Sequence, residues 1–151
     1  MFKFPLQRVL ELREKREQEV ASVLQEARTS ADQAHRECGE LELVRDRGAR
    51  SLSDARMTAA TVGQLQNLSY VLQRLDQHLL DAQAAAERAD EKVTLCLDDF
   101  TAAFRDRRVI DRLRERHLES WRETETQLDR KTMDALALTR HTKDMKSGGS
   151  S

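Results

Sequence analysis

Apolar residues recur at Leu65, Leu68, Leu72, Leu75, Leu79, Ala82, Ala86, Ala89, Val93, Cys96 and Phe100. The steps alternate between three and four. That spacing averages 3.5, which keeps one seam of a helix turned toward a partner helix along its length. No Gly or Pro interrupts the run. A seam this long needs a second helix to cover it.

The first part of the chain supplies one. Pro5 suits the opening turn of a helix, where its missing N–H is not needed. A second seam then reads Leu6, Leu10, Arg13, Glu17, Val20, Leu24, Ala27, Ala31, Ala34, Cys38 and Leu41, continues through Val44 or Arg45, and reaches Gly48. Gly39 costs about 1 kcal/mol against Ala in a helix, too little to end so long a pattern. The signal fades between Met57 and Thr61. Thr61-Val62-Gly63-Gln64 has the spacing of a capping box. The pattern predicts helix one over about 5–56, a turn over about 57–61 and helix two over about 62–145. A flexible Ser/Gly tail is expected over 147–151. Helix two continues its seam through Ala103, Arg107, Ile110, Leu113 or Arg114, His117 and Trp121, and weakens beyond.

Two long helices with a short link fold back on each other. The expected fold is all-α: a two-helix antiparallel coiled-coil hairpin, with helix one ~75 Å long at ~1.5 Å per residue. The turn and the seam period set a register in which paired positions sum to roughly 124. Leu24 then lies near Phe100, Ala27 near Cys96, Ala31 near Val93, Leu41 near Ala82 and Leu52 near Leu72. Glu17 falls beside Arg107 and Arg13 beside Asp111. These four are either ion pairs that select the register or side chains that reach out to water. Phe2 and Phe4 land near Trp121. Residues beyond about 122 overhang helix one and are either frayed or docked elsewhere.

Composition agrees with an extended helical object. Ala, Glu, Lys, Leu and Arg make up 77 of 151 residues, and only six residues are aromatic. That is the composition of long helices rather than of a globule with a pocket. The net charge is −1. Residues 61–100 carry 3 basic and 7 acidic side chains, and residues 101–151 carry 12 and 9. A nucleic-acid binder shows a stronger bias. No apolar run is long enough to span a membrane. The start of the chain lacks the apolar core of a signal peptide, and both cysteines sit on seams. A cytoplasmic setting with reduced thiols is therefore expected.

Candidate chemistry is sparse. His35, His78, His117 and His141 have no metal-ligand spacing, so no metal is expected. Asp98-Asp99 and Glu123 with Glu125 are carboxylate groups on a helix surface, without the water-poor cleft that acid–base work needs. No phosphate-cradling glycine loop occurs, and no cofactor is expected. In the expected register Cys38 lies about ten residues, or ~15 Å, from Cys96, beyond disulfide reach. Residues 105–116 hold six Arg against three acids. Such a helix can contact phosphate, but acids at helical spacing also describe a self-paired, solvated face.

The opening Met1-Phe2-Lys3-Phe4-Pro5-Leu6-Gln7-Arg8-Val9-Leu10-Glu11-Leu12-Arg13 resembles the start of the flagellar export protein FliJ family, an F-x-F-x-L-x-x-[VL]-L run followed by a charged helix. Leu65-Gln66-Asn67-Leu68-Ser69-Tyr70-Val71-Leu72-Gln73-Arg74-Leu75 is similar to the segment opening that family's second helix. Arg112-Leu113-Arg114-Glu115-Arg116-His117, with Trp121-Arg122-Glu123, looks like its L-[KR]-E-[KR]-x followed by an aromatic. Arg130-Lys131-Thr132-Met133-Asp134 resembles its K-x-x-D-E run, with Ala135 in place of the final acid. Together these similarities cover nearly the whole chain.

The resemblance implies a fold similar to the coiled coil of the rotary ATP synthase gamma subunit. It implies a non-enzymatic part in flagellar type III export, and so in bacterial flagellum biogenesis, motility and chemotaxis. The implied partners are the flagellum-specific export ATPase, whose hexamer it would promote, the cytoplasmic domain of the export gate, and export chaperones. Its place would be cytoplasmic, peripherally at the inner face of the cell membrane at the flagellar base. By analogy the ATPase contact falls on Arg8, Arg13, Lys15, Arg16, Arg105, Arg108, Arg112 and Arg116. Solvated charge is the plainer reading of each. The gate contact falls on Leu41, Val44, Val71, Leu75 and Leu79. Seam packing accounts for Leu41, Leu75 and Leu79, whereas Val71 lies off the seam, where an exposed apolar side chain suggests docking. Two other readings stay open: a structural coiled coil that dimerises through its C-terminal overhang, and a nucleic-acid-binding helical arm using residues 105–116.

Overall fold

The computed structural model describes residues 1–148. Helix α1 spans Gln7–Met57 and helix α2 spans Val62–Ser147, and no strand occurs among the described residues. The two pack against each other as a helical hairpin. Thr61 and Gln64 close the expected capping box in both directions. The Gln64 amide donates to Thr61 Oγ1 at 3.3 Å, and the Thr61 amide donates to Gln64 Oε1 at 3.1 Å. Two amide donors that α2 cannot satisfy internally thereby find partners. At the other end, Ser147 closes α2 and Gly148 forms a turn, its amide on the Asp144 carbonyl at 3.1 Å. Gly149, Ser150 and Ser151 of the expected tail lie outside the described residues.

The chain divides into two compact units, Lys15–Phe104 and Met1–Glu14 with Arg105–Ser151. In the first, all eleven α2 positions from Leu65 to Phe100 that carry the three-four spacing are buried or half-buried. Most residues between them are exposed. The centre of the seam is Leu24, Ala27 and Cys96, with Val93 and Phe100 packed against it. Small side chains dominate here: Ala27, Ala31 and Ala86 are 3%, 5% and 4% exposed. Short side chains at facing positions bring two backbones close, so burial is nearly complete without bulk.

Toward the turn, Gly48 lies close against α2. A methyl group on Gly48 would meet Leu72 Cδ2 at 3.0 Å and Leu75 Cδ1 at 3.8 Å. Leu72 was expected beside Leu52, which lies one helical turn from Gly48 on α1. A side chain packed between two seam positions touches both turns, so the Gly48 contacts fit the expected register. Two polar contacts cross between the helices at the exposed edges of the seam. His35 Nε2 lies 2.9 Å from Asp90 Oδ1, and Arg45 Nε lies 2.7 Å from Asp76 Oδ1.

In the second unit the start of the chain lies along α2. Leu10 is 1% exposed and Phe4 is 8% exposed. Phe2 meets the Trp121 ring at 5.9 Å between centroids, as the expected register requires. Phe4 packs edge-on against His117, with centroids 5.7 Å apart. Tilted and edge-on contacts suit the ring quadrupoles, and they clamp the segment before α1 onto α2. Beyond Trp121 every described residue is exposed.

Candidate functional site

The surface offers two kinds of face that could meet a partner. The first is cationic. Arg105, Arg108, Arg112 and Arg116 follow at steps of three or four along α2, so they share one side of the helix. All four are exposed, as are Arg8, Lys15 and Arg16 on α1. None of these seven makes an ion pair among the described residues. Arg13 differs, since its guanidinium donates to Asp106 Oδ2 at 3.2 Å. The expected register had set Arg13 beside Asp111. Asp111 instead takes the Arg107 guanidinium, one turn away on the same helix. Both members of that pair are largely covered, which strengthens it relative to a surface pair. Glu17 and Arg107 are both half-buried, in line with their seam positions.

The second kind consists of exposed apolar side chains in the Lys15–Phe104 unit. Leu41, Leu75 and Leu79 are half-buried in the seam, whereas Val44 and Val71 are 46% and 52% exposed. Tyr70, Leu43 and Leu80 are also exposed. Sequence reasoning passed over these three because no seam or charge pattern marks them. Their signal was the bulk of an apolar side chain at an outward helix position.

Desolvation, and then the Glu42 carboxylate one turn on, push the Cys38 thiol above its ordinary range. Cys38 Sγ lies 3.9 Å from Glu42 Oε1. Cys38 and Cys96 are both free thiols. Among the described residues no group of three or more His, Cys, Asp or Glu side chains could hold a metal ion, and no helix is long and apolar enough to cross a membrane.

The family model described as "Flagellar FliJ protein" matches residues 2–146. The chain belongs to the flagellar FliJ family. No curated protein and no solved structure matches it. The FliJ match takes in the aromatic clamp, the arginine row, the exposed Val44 and Val71 and most of α2 beyond Trp121. Membership assigns the chain a part in flagellar export, in a family whose members are non-catalytic components.

Proposed function

We propose that this FliJ-family chain is a non-catalytic stalk and escort of the flagellar type III export ATPase. In this reading the hairpin binds within the six-fold ATPase ring, promotes its assembly and hydrolysis, and contacts the cytoplasmic domain of the export gate and the export chaperones. It works at the cytoplasmic face of the cell membrane and is held there through its partners. The observation that carries the reading is the family match across residues 2–146 of a two-helix hairpin. The exposed row of Arg105, Arg108, Arg112 and Arg116 supports it. Four guanidinium groups without internal carboxylate partners keep their donors available for acidic groups on a ring. A single hairpin inside a six-membered ring contacts its subunits unequally, which would link nucleotide state to the position of the stalk.

The test is hydrolysis by the cognate export ATPase with and without the full chain. Addition is expected to raise the rate and the hexamer population. Arg105→Glu with Arg108→Glu and Arg112→Glu is expected to remove most of that stimulation while helicity is retained. Unchanged rate and unchanged oligomer size on adding the wild-type chain would overturn the reading. For the gate, Val71→Asp is expected to weaken binding to the isolated cytoplasmic gate domain at least about tenfold, as loss of a buried apolar anchor does.

A further inference from the structure

The seam of α2 outlasts the segment that covers it. Phe2 packs on Trp121, and every described residue beyond is exposed. Leu128, Leu138 and Met145 are 56%, 67% and 70% exposed. These three fall on one stripe, whereas Met133 and Leu136, 68% and 54% exposed, lie off it. Counting onward from Trp121 at the three-four spacing gives Trp121, Thr124, Leu128, Lys131, Ala135, Leu138, Thr142 and Met145. The stripe that closes on the start of the chain therefore continues, uncovered, along about seven further turns.

We propose that this stripe is an interface for a second copy of the same chain, with the two C-terminal segments paired antiparallel. Three properties favour that occupant. The stripe continues a seam that already pairs helices in this unit. It is also self-complementary under reversal. An antiparallel mate that sets Leu128 against Leu138 also sets Trp121 against Met145, Thr124 against Thr142 and Lys131 against Ala135. Each large apolar residue then faces another large apolar residue, and the Lys131 stem lies over a small Ala. A two-fold axis generates such an arrangement without further coincidence, because one patch serves both partners.

The third property is charge. Residues 119–129 carry Glu119, Glu123, Glu125 and Asp129 against Arg122, a net of −3. Residues 130–146 carry Arg130, Lys131, Arg140, Lys143 and Lys146 against Asp134 and Asp144, a net of +3. A parallel mate brings like block against like block. An antiparallel mate brings the acidic block of each chain to the basic block of the other, which selects orientation and suppresses the alternative.

The experiment uses the full chain. Sedimentation from about 1 µM to about 1 mM covers weak to moderate association, and a monomer–dimer transition is expected within it. Leu128→Glu with Leu138→Glu is expected to weaken the dimer at least about tenfold. Both positions are exposed, so helicity should be unchanged. Orientation is read by disulfide trapping in a Cys38→Ser, Cys96→Ala background checked for wild-type helicity. A Leu128→Cys chain mixed with a Leu138→Cys chain is expected to cross-link much faster than Leu128→Cys with itself. For the charge match, a Glu123→Lys, Glu125→Lys chain and a Lys143→Glu, Lys146→Glu chain should each pair poorly alone and pair when mixed. A monomer throughout the concentration range, trapping of Leu128→Cys with itself at the mixed rate, or no recovery on mixing the charge variants would each overturn the proposal. These outcomes involve no ATPase, so they stand apart from the stalk reading.

Discussion

Gly39 and Gly48 lie on the same helix, yet their surroundings give them opposite latitude. A methyl group at Gly39 would meet nothing within 4 Å. Neither glycine has a positive φ. Gly39→Ala therefore gains helix propensity without a steric cost, and it is expected to stabilise the fold by about 0.5–1 kcal/mol in denaturant melts. At Gly48 the same methyl would press on Leu72 Cδ2 at 3.0 Å. The half-buried Leu72 side chain must move by a few tenths of an ångström, and that cost offsets the propensity gain. Gly48→Ala is expected to be near neutral and clearly below Gly39→Ala. Cys38 offers a second residue-scale check. Its thiol is pushed up by desolvation and then by Glu42, so less thiolate is present at a given pH. Glu42→Gln removes the nearby negative charge and lowers the thiol pKa. Alkylation of Cys38 by iodoacetamide near pH 8 is expected to speed up in that variant, and Cys96, buried in the seam, serves as the internal reference.

At the scale of the helix, the entry to α2 is the feature with the most local control. Thr61→Ala deletes the oxygen that accepts from the Gln64 amide, and a loss of about 1 kcal/mol in chemical melts is expected. That box was legible in four consecutive residues because its partners are neighbours in sequence. So was the identity of the seam: each position from Leu65 to Phe100 that kept the three-four spacing is at least half-buried. Pairing between the helices was legible at its centre, where Ala27 packs with Cys96 as expected, and Gly48 lies against Leu72 and Leu75. Ion pairs were least legible. Arginine reaches several residues along a neighbouring helix, so Arg13 takes Asp106 and leaves Asp111 to Arg107. Position alone could not choose among acids one turn apart. The candidate docking residues divide the same way. Val71 stands out as an exposed, off-seam apolar side chain, and Val44, a candidate seam position, is exposed as well, whereas nothing periodic marks Tyr70 or Leu80.

For the molecule as a whole, stability should be unevenly distributed, and the unevenness is measurable. Long helices in water owe most of their stability to burial of one face. From Val62 to Trp121, α2 has such a face; beyond Trp121 no described residue is covered. Amides of residues 125–145 are therefore expected to exchange with deuterium much faster at low protein concentration than amides around Leu24, Ala27 and Cys96. Local opening of an uncovered helix breaks no tertiary contact, while opening at the seam exposes buried side chains. Concentration separates two explanations of any protection found there. If the C-terminal segment were held by helix propensity alone, its exchange would be the same at every concentration. Pairing between chains makes protection of residues 125–145 rise with concentration and leaves the rest of the chain unchanged, because mass action stabilises only the segment that is bound. Leu128→Glu with Leu138→Glu should then return those amides to fast exchange at all concentrations.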